Sequence, residues 1–495
     1  MGERNTSYFH LSTLARRSAN RINGIKDNAG NWLLDVEEVK VHFVEGFKNI
    51  YQTEQTQCDL KLEPLPSWGA LLSQEDIISL AKPFSELEIF AALQSMKPFK
   101  APGPDGLHFG FFQKCWKVVS ASMTKANFDV FNSSTMPAEL NQTLIALIPK
   151  RKGLETLNHF RPISLCNTVY KIVPKILVLR LKPLLPSLIS PLQTAFVASR
   201  RGSDNVVIAQ ELIYTLERKK GKLGFMVIKI DLEKAYDRIE WSFVRQILIH
   251  FGFPDNITRI IMSCITTTST SLLFNGDKLD QFLPSRGIRQ GDPLSPFLFL
   301  LCMEYLGGLI EQKCDNGEWT KVKASCGGPG FSHVFFADDL LLFAKANIKN
   351  CEAISNVLEE FCAMSVQKVS KAKSRVFFSP NVSSRNMQSI CTKLGFSSTN
   401  SLGKYLGFPI MHKNISHSEF NFLMEKVQER LAGWKTRLLS PASRLVLIKA
   451  TVTPIPEYIM QCATILAKVC NVVDKLCRDF LWGSTNEKRK LHMIS

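Results

Sequence analysis

The middle of the chain alternates short apolar runs with longer segments that have one apolar face, a pattern that predicts strands mixed with helices. Residues 143–148 (TLIALI) predict a short strand, and residues 225–231 (FMVIKID) predict a strand that leads into a helical turn. Residues 170–185 have the apolar face of a helix. Residues 331–343 contain two apolar runs hinged on a pair of aspartates, which predicts a β-hairpin.

The two ends of the chain have different patterns. Residues 1–95 predict helices and irregular segments, and residues 97–106 (KPFKAPGPDG) are rich in the glycine and proline of turns. Late in the chain, helices are predicted at residues 422–431, 443–450 and 472–481. Strands followed by helices therefore predict an α+β body with an added helical lobe.

Length and composition narrow the class of protein. A chain of 495 residues is expected to fold as two or three lobes rather than around one core. Hydrophobic residues make up 45% and charged residues 21%, which is typical of globular proteins and excludes a disordered chain. The formal charge of +17 favours a polyanionic partner such as nucleic acid, although an anionic membrane surface would also attract it.

Cysteine usage and apolar runs indicate an intracellular protein without a membrane span. None of the thirteen cysteines forms a Cys-x-x-Cys pair or has zinc-ligand spacing, so reduced thiols are predicted. The first residues lack the apolar region of a signal peptide. Residues 296–310 (PFLFLLCMEYLGGLI) are interrupted by Glu304 and are too short to cross a bilayer, so they predict a buried helix.

Three aspartates stand at the ends of predicted strands. Asp231 ends the strand at residues 225–231, and Asp338 and Asp339 separate the two runs of the hairpin. Because an unpaired carboxylate is costly to bury, acids in such settings indicate a nearby cation. Two Mg²⁺ ions would turn the repulsion between three converging carboxylates into a ligand set, which suits nucleotidyl transfer.

Simpler interpretations exist for each aspartate by itself. Paired aspartates are common at hairpin turns, and an aspartate after a strand often caps a helix. The spacing along the chain also does not show that Asp231 meets the distant pair. The order of motifs along the whole chain has to decide between these interpretations.

That order resembles the reverse transcriptase family, and within it the non-LTR, LINE-type retrotransposons abundant in plant genomes. The resemblance covers residues 97–410 well and both ends more loosely. It rests on Asp231 at its strand end and on these motifs: HFRPISLCNTVYKI (159–172), QTAFVASRRGSDN (193–205), RGIRQGDPLSP (286–296), FADD (336–339) and KYLGFPI (404–410).

The resemblance implies an RNA-directed DNA polymerase with a right-hand fold. Fingers and palm would occupy residues 97–410, after an N-terminal extension at 1–96 and before a helical thumb or connector at 411–495. The implied substrates are an RNA template, a DNA primer and deoxynucleoside triphosphates. The implied cofactor is Mg²⁺, with Mn²⁺ as an alternative, and no membrane partner is implied.

The resemblance also assigns roles at the catalytic centre. It implies that the carboxylates of Asp231, Asp338 and Asp339, with the backbone carbonyl of Leu232, bind the metal ions. Lys373 resembles a lysine that protonates the departing pyrophosphate. Tyr236 stands where the family has an aromatic steric gate against the ribose 2′-hydroxyl; without the family it is simply a half-buried aromatic residue.

Further positions match residues that bind the substrates. Asp237 resembles a structural residue rather than a metal ligand. The residues implied to contact the nucleotide are Lys150, Arg161, Gln290 and Gly291, together with Tyr236. The residues implied to grip the primer are Tyr405, Leu406 and Gly407. On charge or turn chemistry alone, these positions are ordinary surface cations, loop residues and a buried turn.

Some positions depart from the family pattern. Ser365-Val366-Gln367 stands where the family usually has Ser-Gly-Leu, Ser370 stands in place of a frequent asparagine, and Ser199 replaces a usual glycine. A β-branched valine in place of a glycine with positive φ would strain the backbone. The three metal-binding aspartates of the family pattern are all present, but these changes put the catalytic activity of the polymerase in question.

Two other functions stay as alternatives. A degenerate remnant would bind RNA or DNA without incorporating nucleotides. An intron-encoded maturase of the same fold is disfavoured because no splicing segment is recognisable. Neither an endonuclease nor a Cys/His cluster is recognisable, so a partial open reading frame is expected. A nuclear or cytoplasmic location, nuclear by family likeness, is expected, and the short Lys488-Arg489-Lys490 run is a weak nuclear signal.

Overall fold

The computed structural model describes residues 7–54, 71–410, 420–431, 435 and 438–483. Within these ranges it is a mixed α and β protein, as the sequence predicted. The α-helices are α1 (Ser7–Asn20), α2 (Val36–Tyr51), α3 (Gln74–Ala81), α4 (Glu86–Gln94), α5 (Phe109–Lys114), α6 (Trp116–Ser133), α7 (Thr168–Leu181), α8 (Leu185–Leu188), α9 (Gly202–Glu217), α10 (Ala235–Arg238), α11 (Trp241–His250), α12 (Asp255–Thr266), α13 (Ser295–Asp315), α14 (Ile348–Ser365), α15 (Ser384–Leu394), α16 (Asn421–Arg430), α17 (Pro441–Leu447), α18 (Pro454–Met460) and α19 (Ala467–Trp482).

The strands lie mostly in the middle of the chain. They are β1 (Ile25–Lys26), β2 (Trp32–Leu33), β3 (Gln142–Pro149), β4 (Phe160–Cys166), β5 (Phe225–Ile230), β6 (Ser269–Phe274), β7 (Asp277–Phe282), β8 (Val322–Lys323), β9 (Gly330–Phe331), β10 (His333–Phe336), β11 (Asp339–Lys345), β12 (Arg375–Phe378), β13 (Ser397–Ser398), β14 (Lys404–Tyr405) and β15 (Phe408–Pro409). The predicted strands at 143–148 and 225–231 and the hairpin at 331–343 are confirmed as β3, β5 and the pair β10–β11.

The chain divides into two compact units. One, here called the sheet unit, comprises the described residues of Ile22–Arg200 and Lys219–Thr399. The other, here called the helical unit, comprises the described residues of Met1–Arg21, Arg201–Arg218 and Asn400–Ser495. The boundaries predicted at residues 96 and 410 fall inside the sheet unit and the helical unit respectively.

The sheet unit is built on two sheets. The larger has the strand order β10-β11-β5-β12-β13, with antiparallel neighbours except for the parallel pair β12–β13. The smaller has the order β4-β3-β6-β7, in which β3 and β6 are parallel. Because β5 lies between β11 and β12, Met226, Val227, Ile228 and Ile230 are buried, and the C-terminal end of β5 lies beside the start of β11.

Helix α13 is the centre of the main hydrophobic core. Its residues from Phe297 to Ile310 are buried, including the carboxylate of Glu304, which accepts a hydrogen bond from the backbone N–H of Ser190 (2.9 Å). The prediction of a buried helix at residues 296–310 is thus confirmed. Among the residues that the structure describes, no helix has the length and apolar character needed to cross a membrane.

A second core joins the N-terminal segment to the smaller sheet. Helix α2 begins after Asp35, whose side chain accepts hydrogen bonds from the backbone N–H groups of Glu37 and Glu38 and so caps the helix. The buried face of α2 includes Phe43, which packs edge-on against Phe160 of β4 at 5.4 Å between ring centroids. Residues that precede the recognised motifs therefore belong to the core of the sheet unit.

Two of the departures from the family pattern adopt left-handed backbone conformations. Val366, at the end of α14, has φ +56°, and Ser199 has φ +66°. Since a Cβ crowds the backbone in this region, glycine is the residue that fits it without strain. Glycine would therefore fit both positions of this fold without strain, whereas Val366 and Ser199 adopt the left-handed conformation with side chains attached.

Substitution of Ser199 by glycine is expected to stabilise the chain by about 0.5–1 kcal/mol. Ser199 is exposed, so the change relieves the left-handed strain without removing buried surface, and the extra freedom of glycine in the unfolded chain offsets only part of the gain. Urea unfolding of the full chain measures the difference. The neighbouring Ala198→Gly, at an exposed position without positive φ, should lower stability by a similar amount; equal effects of both changes would contradict the strain.

The helical unit has its own small core. Leu423 and Val427 of α16 and Val469 of α19 are buried, and α9 contributes Val206 and Ala209 among its buried residues. The helices predicted at residues 422–431, 443–450 and 472–481 are found as α16, as α17 with a following π-helical turn, and as α19. Throughout the described part of the chain, every cysteine is free of disulfide bonding.

Candidate active site

The three predicted metal-binding aspartates meet at one end of the larger sheet. Strands β5 and β11 are antiparallel, with Ile230 opposite Leu340. One position beyond the last pair of this ladder, the register sets Asp231 opposite Asp339, and directly opposed residues in such a ladder have Cα atoms about 4.5–5.5 Å apart. Asp338 lies in the turn that precedes β11. Strand pairing therefore brings together acids that are far apart along the chain.

These carboxylates disfavour one another's charge. The pKa of Asp338 is raised by burial among protein atoms and by the charge of Asp231, against the opposing influence of Arg161. The pKa of Asp339 is raised by burial and by Asp338 and Asp231, with Lys229 opposing. Both residues are nevertheless exposed to solvent. A cation that entered from solvent would relieve this repulsion.

Lys373 supplies one positive charge at the cluster. Its Nζ lies 3.6 Å from Oδ1 of Asp231, and its side chain is 71% exposed. The loop that carries it is fastened along Asp231, because the N–H of Ser370 donates to the Asp231 carbonyl (2.8 Å) and the Asp231 N–H donates to Oγ of Ser374 (3.2 Å). An exposed ion pair of this kind is weak, so the ammonium group can move toward a substrate.

Leu232 is part of the same attachment. It forms an isolated antiparallel bridge with Val369 of the Lys373 loop, and its side chain is buried. The next residue, Glu233, donates its N–H to the carbonyl of Lys368 (2.8 Å). The backbone at the predicted carbonyl ligand is therefore held in place from both sides.

Tyr236 is held flat by the central helix. Its ring stacks on Phe299 of α13, with centroids 4.5 Å apart and planes 15° from parallel. The side chain is half-buried, and its pKa is raised by burial and by the nearby charge of Asp338. The predicted gate residue thus has a fixed ring within electrostatic range of the acid cluster.

Gln290 and Gly291 lie where the loop before α13 crosses β4. The Gln290 carbonyl accepts a hydrogen bond from the N–H of Ser164 (2.7 Å). Gly291 has φ +109°, and a Cβ at this position would lie 3.0 Å from the Ser164 carbonyl oxygen. Both the conformation and the close approach therefore require glycine.

Asp237 is engaged in hydrogen bonds inside the protein. It is 2% exposed, accepts a hydrogen bond from the Tyr51 hydroxyl (3.0 Å) and accepts two from Nε2 of Gln290 (3.1 and 3.2 Å). Burial raises its pKa to about 6, against the opposing charges of Lys234 and Lys150 and these hydrogen bonds. This surrounding suits the structural role predicted for it.

The two predicted phosphate-binding cations flank the smaller sheet. Arg161 is on β4 opposite Ile148 of β3, and Lys150 follows β3, with its Nζ donating to the Asn158 carbonyl (2.9 Å). The pKa of Lys150 is lowered by burial and by the charges of Lys373 and Arg161, while Asp237 and Asp231 oppose this effect. These cations and the acid cluster therefore act on one another electrostatically.

Sequence reasoning assigned no role to Gln193, which anchors the aspartate turn. Its buried Oε1 accepts hydrogen bonds from the N–H groups of Ala337 and Ala195 (3.1 Å each). Ala337 immediately precedes Asp338 and has φ +53°. The QTAFVASRRGSDN motif contains Gln193, but nothing in the local pattern marks the residue as a support of the distant turn.

The sequence pattern also gave no role to Lys234, which lies close to the candidate site. Burial lowers the pKa of its ammonium group to about 8, although Asp237 opposes this effect. Lys234 has φ +49° at the start of α10 and lies over the ring of Phe47, 5.7 Å from its centroid. Its place between Asp231 and Tyr236 in the motif was the one available signal.

The predicted primer-grip residues form a hairpin turn in the helical unit. Tyr405 is buried at the end of β14, and Leu406 (φ +50°) and Gly407 (φ +79°) make the turn to β15. The Leu406 carbonyl accepts a hydrogen bond from the Tyr458 hydroxyl (2.8 Å). A cleft of about 530 Å³ adjoins the turn and is lined by Gly407, Phe422, Lys426, Glu429, Arg430, Lys435, Ile455, Tyr458 and Ile459.

The acid cluster has the donor chemistry for a divalent metal. Within the described residues, no three His, Cys, Asp or Glu side chains lie close enough together to hold a metal ion by themselves. However, carboxylate oxygens are the ligands that Mg²⁺ prefers, and the ion normally completes its shell with water and substrate phosphates. The mutual repulsion of the three aspartates and the cation at Asp231 show that positive charge is favoured here. The chemistry of these side chains therefore fits the predicted Mg²⁺.

Comparison with known proteins identifies the family. The reverse transcriptase (RNA-dependent DNA polymerase) family matches residues 148–410, slightly more than half of the chain. An uncharacterized 149 kDa protein of transposon TX1 from Xenopus laevis is 25% identical over 491 residues, covering 97% of this chain and 36% of that protein. The Pol polyprotein of the type-2 retrotransposable element R2DM from Drosophila melanogaster is 27% identical over 254 residues, covering 50% of this chain and 22% of the relative.

A third relative extends the same pattern. The Pol polyprotein of a type-1 retrotransposable element R2 from Popillia japonica is 25% identical over 266 residues, which covers 53% of this chain and 35% of the relative. The chain thus spans about a third or less of the length of these relatives. The chain belongs to the reverse transcriptase (RNA-dependent DNA polymerase) family and is related to proteins of non-LTR retrotransposons, which confirms the family predicted from the sequence.

Proposed function

We propose that this chain copies RNA into DNA by adding deoxynucleotides to the 3′-hydroxyl of a primer. The observation that carries the proposal is the register of β5 and β11, which sets Asp231 beside the Asp338–Asp339 turn. The electrostatic coupling of these acids to Lys150, Arg161 and Lys373 adds the positive charge that a triphosphate needs. Membership of the family supports the same reaction.

In this proposal the fold is a right hand. The larger sheet with the acids would be the palm, and the smaller sheet with Lys150 and Arg161 would belong to the fingers. The N-terminal extension would cover residues 1–96, fingers and palm residues 97–410, and the thumb the helices after residue 410. The hairpin of Tyr405, Leu406 and Gly407 would grip the primer.

The proposed chemistry assigns one task to each group. Asp231, Asp338 and Asp339, with the Leu232 carbonyl, would hold Mg²⁺, or Mn²⁺ in its place. When bound, the metal would lower the pKa of the primer hydroxyl and neutralise charge on the leaving pyrophosphate. Lys150 and Arg161 would bind the triphosphate, and Gln290 and Gly291 would face the nucleotide and the template.

The bond changes follow from this placement. The primer 3′-oxygen forms a bond to the α-phosphorus, and the bond from that phosphorus to the bridging oxygen of the β-phosphate breaks. The hydroxyl proton passes to solvent, and Lys373 donates a proton to the departing pyrophosphate. The exposure of Lys373 and its weak pairing with Asp231 support this role, because the ammonium group is free to follow the leaving group.

The cleft in the helical unit supports binding of a nucleic-acid backbone. Lys426, Arg430 and Lys435 contribute positive charge to its lining, and Phe422 and Tyr458 contribute aromatic faces. Such a mixture suits phosphates and the sugar or base surfaces between them. The net charge of +17 over the whole chain favours the same class of partner.

Primer extension on an RNA template tests the proposed function. The full chain, given an annealed DNA primer, Mg²⁺ and all deoxynucleoside triphosphates, is expected to lengthen the primer to the end of the template. Removal of the metal by a chelator should stop extension. A chain that binds the primed RNA but adds no nucleotide would contradict the proposal.

That outcome would favour the second candidate, a remnant that binds nucleic acid without catalysis. The left-handed conformations of Val366 and Ser199, where glycine fits better, are the observation that favours it. Binding of RNA in such a remnant would still weaken steeply with added salt, because displaced counterions drive it.

Tyr236→Val is expected to lower the preference for deoxynucleotides over ribonucleotides by about tenfold to a hundredfold. The stacked ring lies beside Asp338, so its loss would open room for a ribose 2′-hydroxyl. Single-nucleotide incorporation with dATP and ATP measures the ratio of kcat/KM values. Tyr236→Phe keeps the ring and should keep the preference; a valine variant with the parent's ratio would refute the gate.

The location of the protein is a separate proposal. A nuclear location is proposed from the family likeness, since retrotransposons insert into genomic DNA. The Lys488-Arg489-Lys490 run lies outside the described residues. A fluorescently tagged full chain with and without that run would show whether it directs nuclear entry.

A further inference from the structure

Tyr51, at the end of α2, is linked to the nucleotide side of the candidate site by a chain of hydrogen bonds that passes through the buried Asp237. Its hydroxyl donates to Oδ1 of Asp237 at 3.0 Å. Asp237 in turn accepts both of its contacts with Gln290 from the same amide nitrogen, Nε2, at 3.1 and 3.2 Å. Tyr51 precedes residues 97–410, which the family resemblance covers well, and the resemblance assigns it no role.

The backbone around Tyr51 is fastened to the segment that leads to Gln290. The N–H groups of Ser285 and Arg286 both donate to the Tyr51 carbonyl (2.9 and 3.1 Å). Nε of Arg286 donates to the Ile50 carbonyl (2.9 Å). The end of α2 and the loop before Gln290 therefore hold a fixed distance from each other.

Glu54 adds a charged anchor three residues later. Its carboxylate pairs with Arg238 (2.9 Å), Arg286 (3.3 Å) and Lys368 (3.0 Å), and these hydrogen bonds and charges, led by Lys368 and Arg238, lower its pKa to about 2. The three cations belong to the helix that carries Asp237, the loop before Gln290 and the loop that carries Lys373. Residues 51–54 thus bind three separate parts of the site.

We propose that Tyr51 is a positioning residue that, through Asp237, holds the Gln290 side chain toward the incoming nucleoside triphosphate. This inference rests on the proposed function, because that function places the nucleotide at Gln290. It adds Tyr51, a residue from the segment before the recognised motifs, to the nucleotide site. It also implies that the segment ending at Glu54 is needed for nucleotide binding.

The protonation state of Asp237 determines how strongly it holds the Gln290 side chain. The groups that act on its carboxylate are the phenol of Tyr51, the amide of Gln290 and the charges of Lys234 and Lys150. Burial raises the pKa of Asp237 to about 6, and the Tyr51 hydrogen bond acts in the opposite direction. Without the Tyr51 hydroxyl the pKa rises further, so Asp237 takes up a proton at a higher pH. A protonated carboxyl group offers Gln290 one acceptor fewer.

Binding of a fluorescent deoxynucleotide, mant-dATP, to the full chain with annealed primer and Ca²⁺ tests the inference without requiring catalysis. Tyr51→Phe is expected to bind the nucleotide about tenfold more weakly than the parent at about pH 6.5, and within about twofold of the parent at about pH 8.5, where Asp237 is ionised in both. Recovery at high pH is a result that general loosening of the fold would not produce.

Thr53→Val is the matched control. It removes a hydrogen bond from the same segment to Glu240 (2.9 Å) but leaves the Tyr51 hydroxyl in place, so binding should match the parent at both pH values. Equal binding by Tyr51→Phe and the parent at the lower pH, or equal weakening at both pH values, would overturn the inference. So would a parent that binds no nucleotide. A parent that binds mant-dATP but extends no primer would instead contradict the proposed function alone.

Discussion

Asp338→Asn is expected to lower the rate of primer extension on an RNA template by about a thousandfold or more. Asparagine has nearly the same size, so the turn between β10 and β11 should persist while a negative charge and a metal-binding oxygen are lost. Time courses of single-nucleotide addition with saturating Mg²⁺ measure the effect. Asp338 is the informative choice because its charge acts on Asp339 and Tyr236 as well as on the metal.

The same substitution should not destabilise the protein. The pKa of Asp338 is raised in the folded chain, which means that its ionised form opposes folding at neutral pH, where the carboxylate is charged. Removing the charge should therefore leave the thermal unfolding midpoint unchanged or raise it. Loss of activity together with retained or higher stability would identify Asp338 as a residue kept for function.

Binding of a divalent ion gives an independent measurement. Mg²⁺ or Mn²⁺ should raise the unfolding midpoint of the parent, because a ligand that binds only the folded state stabilises it. The midpoint of Asp338→Asn should respond less. Asp255→Asn, an exposed aspartate paired with Arg259, is the control and should behave like the parent in both measurements. Extension by Asp338→Asn within tenfold of the parent would eliminate the proposed metal role.

Arg289→Met is expected to destabilise the sheet unit by about 3–5 kcal/mol. Arg289 is 8% exposed and donates to Oδ1 of Asn141 (2.7 Å), to the Cys264 carbonyl (2.8 Å) and to the Tyr170 hydroxyl. It also pairs with Asp292 at 3.3 Å. Methionine would fill similar space but would leave the buried Asp292 carboxylate without its cation.

The position of Arg289 extends the effect to the site. It directly precedes Gln290, so a loop released from this buried network should also misplace the nucleotide-facing side chain. Arg289→Lys keeps the charge but loses the planar fork that reaches several acceptors, and it should fall between parent and methionine variant. Unfolding by urea, followed by tryptophan fluorescence, reports the loss of stability. Trp241 of α11 donates to the Gly287 carbonyl (2.8 Å) and therefore contacts the loop that contains Arg289.

An exposed ion pair provides the comparison for Arg289. Arg259 pairs with Asp255 at 3.1 Å on α12, with both side chains largely exposed. Arg259→Met should cost less than about 1 kcal/mol, because water screens the pair. If Arg289→Met and Arg259→Met shifted the unfolding midpoint equally, the buried network would have no special part in stability.

The local sequence pattern was sufficient to predict the strands and the helix that carry the candidate site. The β-branched apolar run of residues 225–231 predicted β5, and the two apolar runs around Asp338 predicted the hairpin β10–β11. The continuous apolar run of α13 predicted a buried helix. Each of these signals lies within one stretch of chain, where side-chain periodicity reports directly which surface is covered.

Other features had no local signal. The hydroxyl of Tyr51 and the carboxylate of Asp237 are separated by 186 positions, and Gln193 and Ala337 by 144. Single residues of these types occur throughout any chain, so their partners depend on how elements pack rather than on neighbouring residues. The partial burial of Lys234, which lowers the pKa of its ammonium group to about 8, arises in the same way.

The sequence by itself determined the family, the main strands and helices, and which aspartates stand at strand ends. Only the tertiary structure decided that β11 pairs with β5 in a register that sets Asp231 beside Asp339, and that an N-terminal tyrosine supports Asp237. The physical reason is that periodic burial is encoded residue by residue, whereas register and buried hydrogen bonds depend on contacts between segments that are distant along the chain.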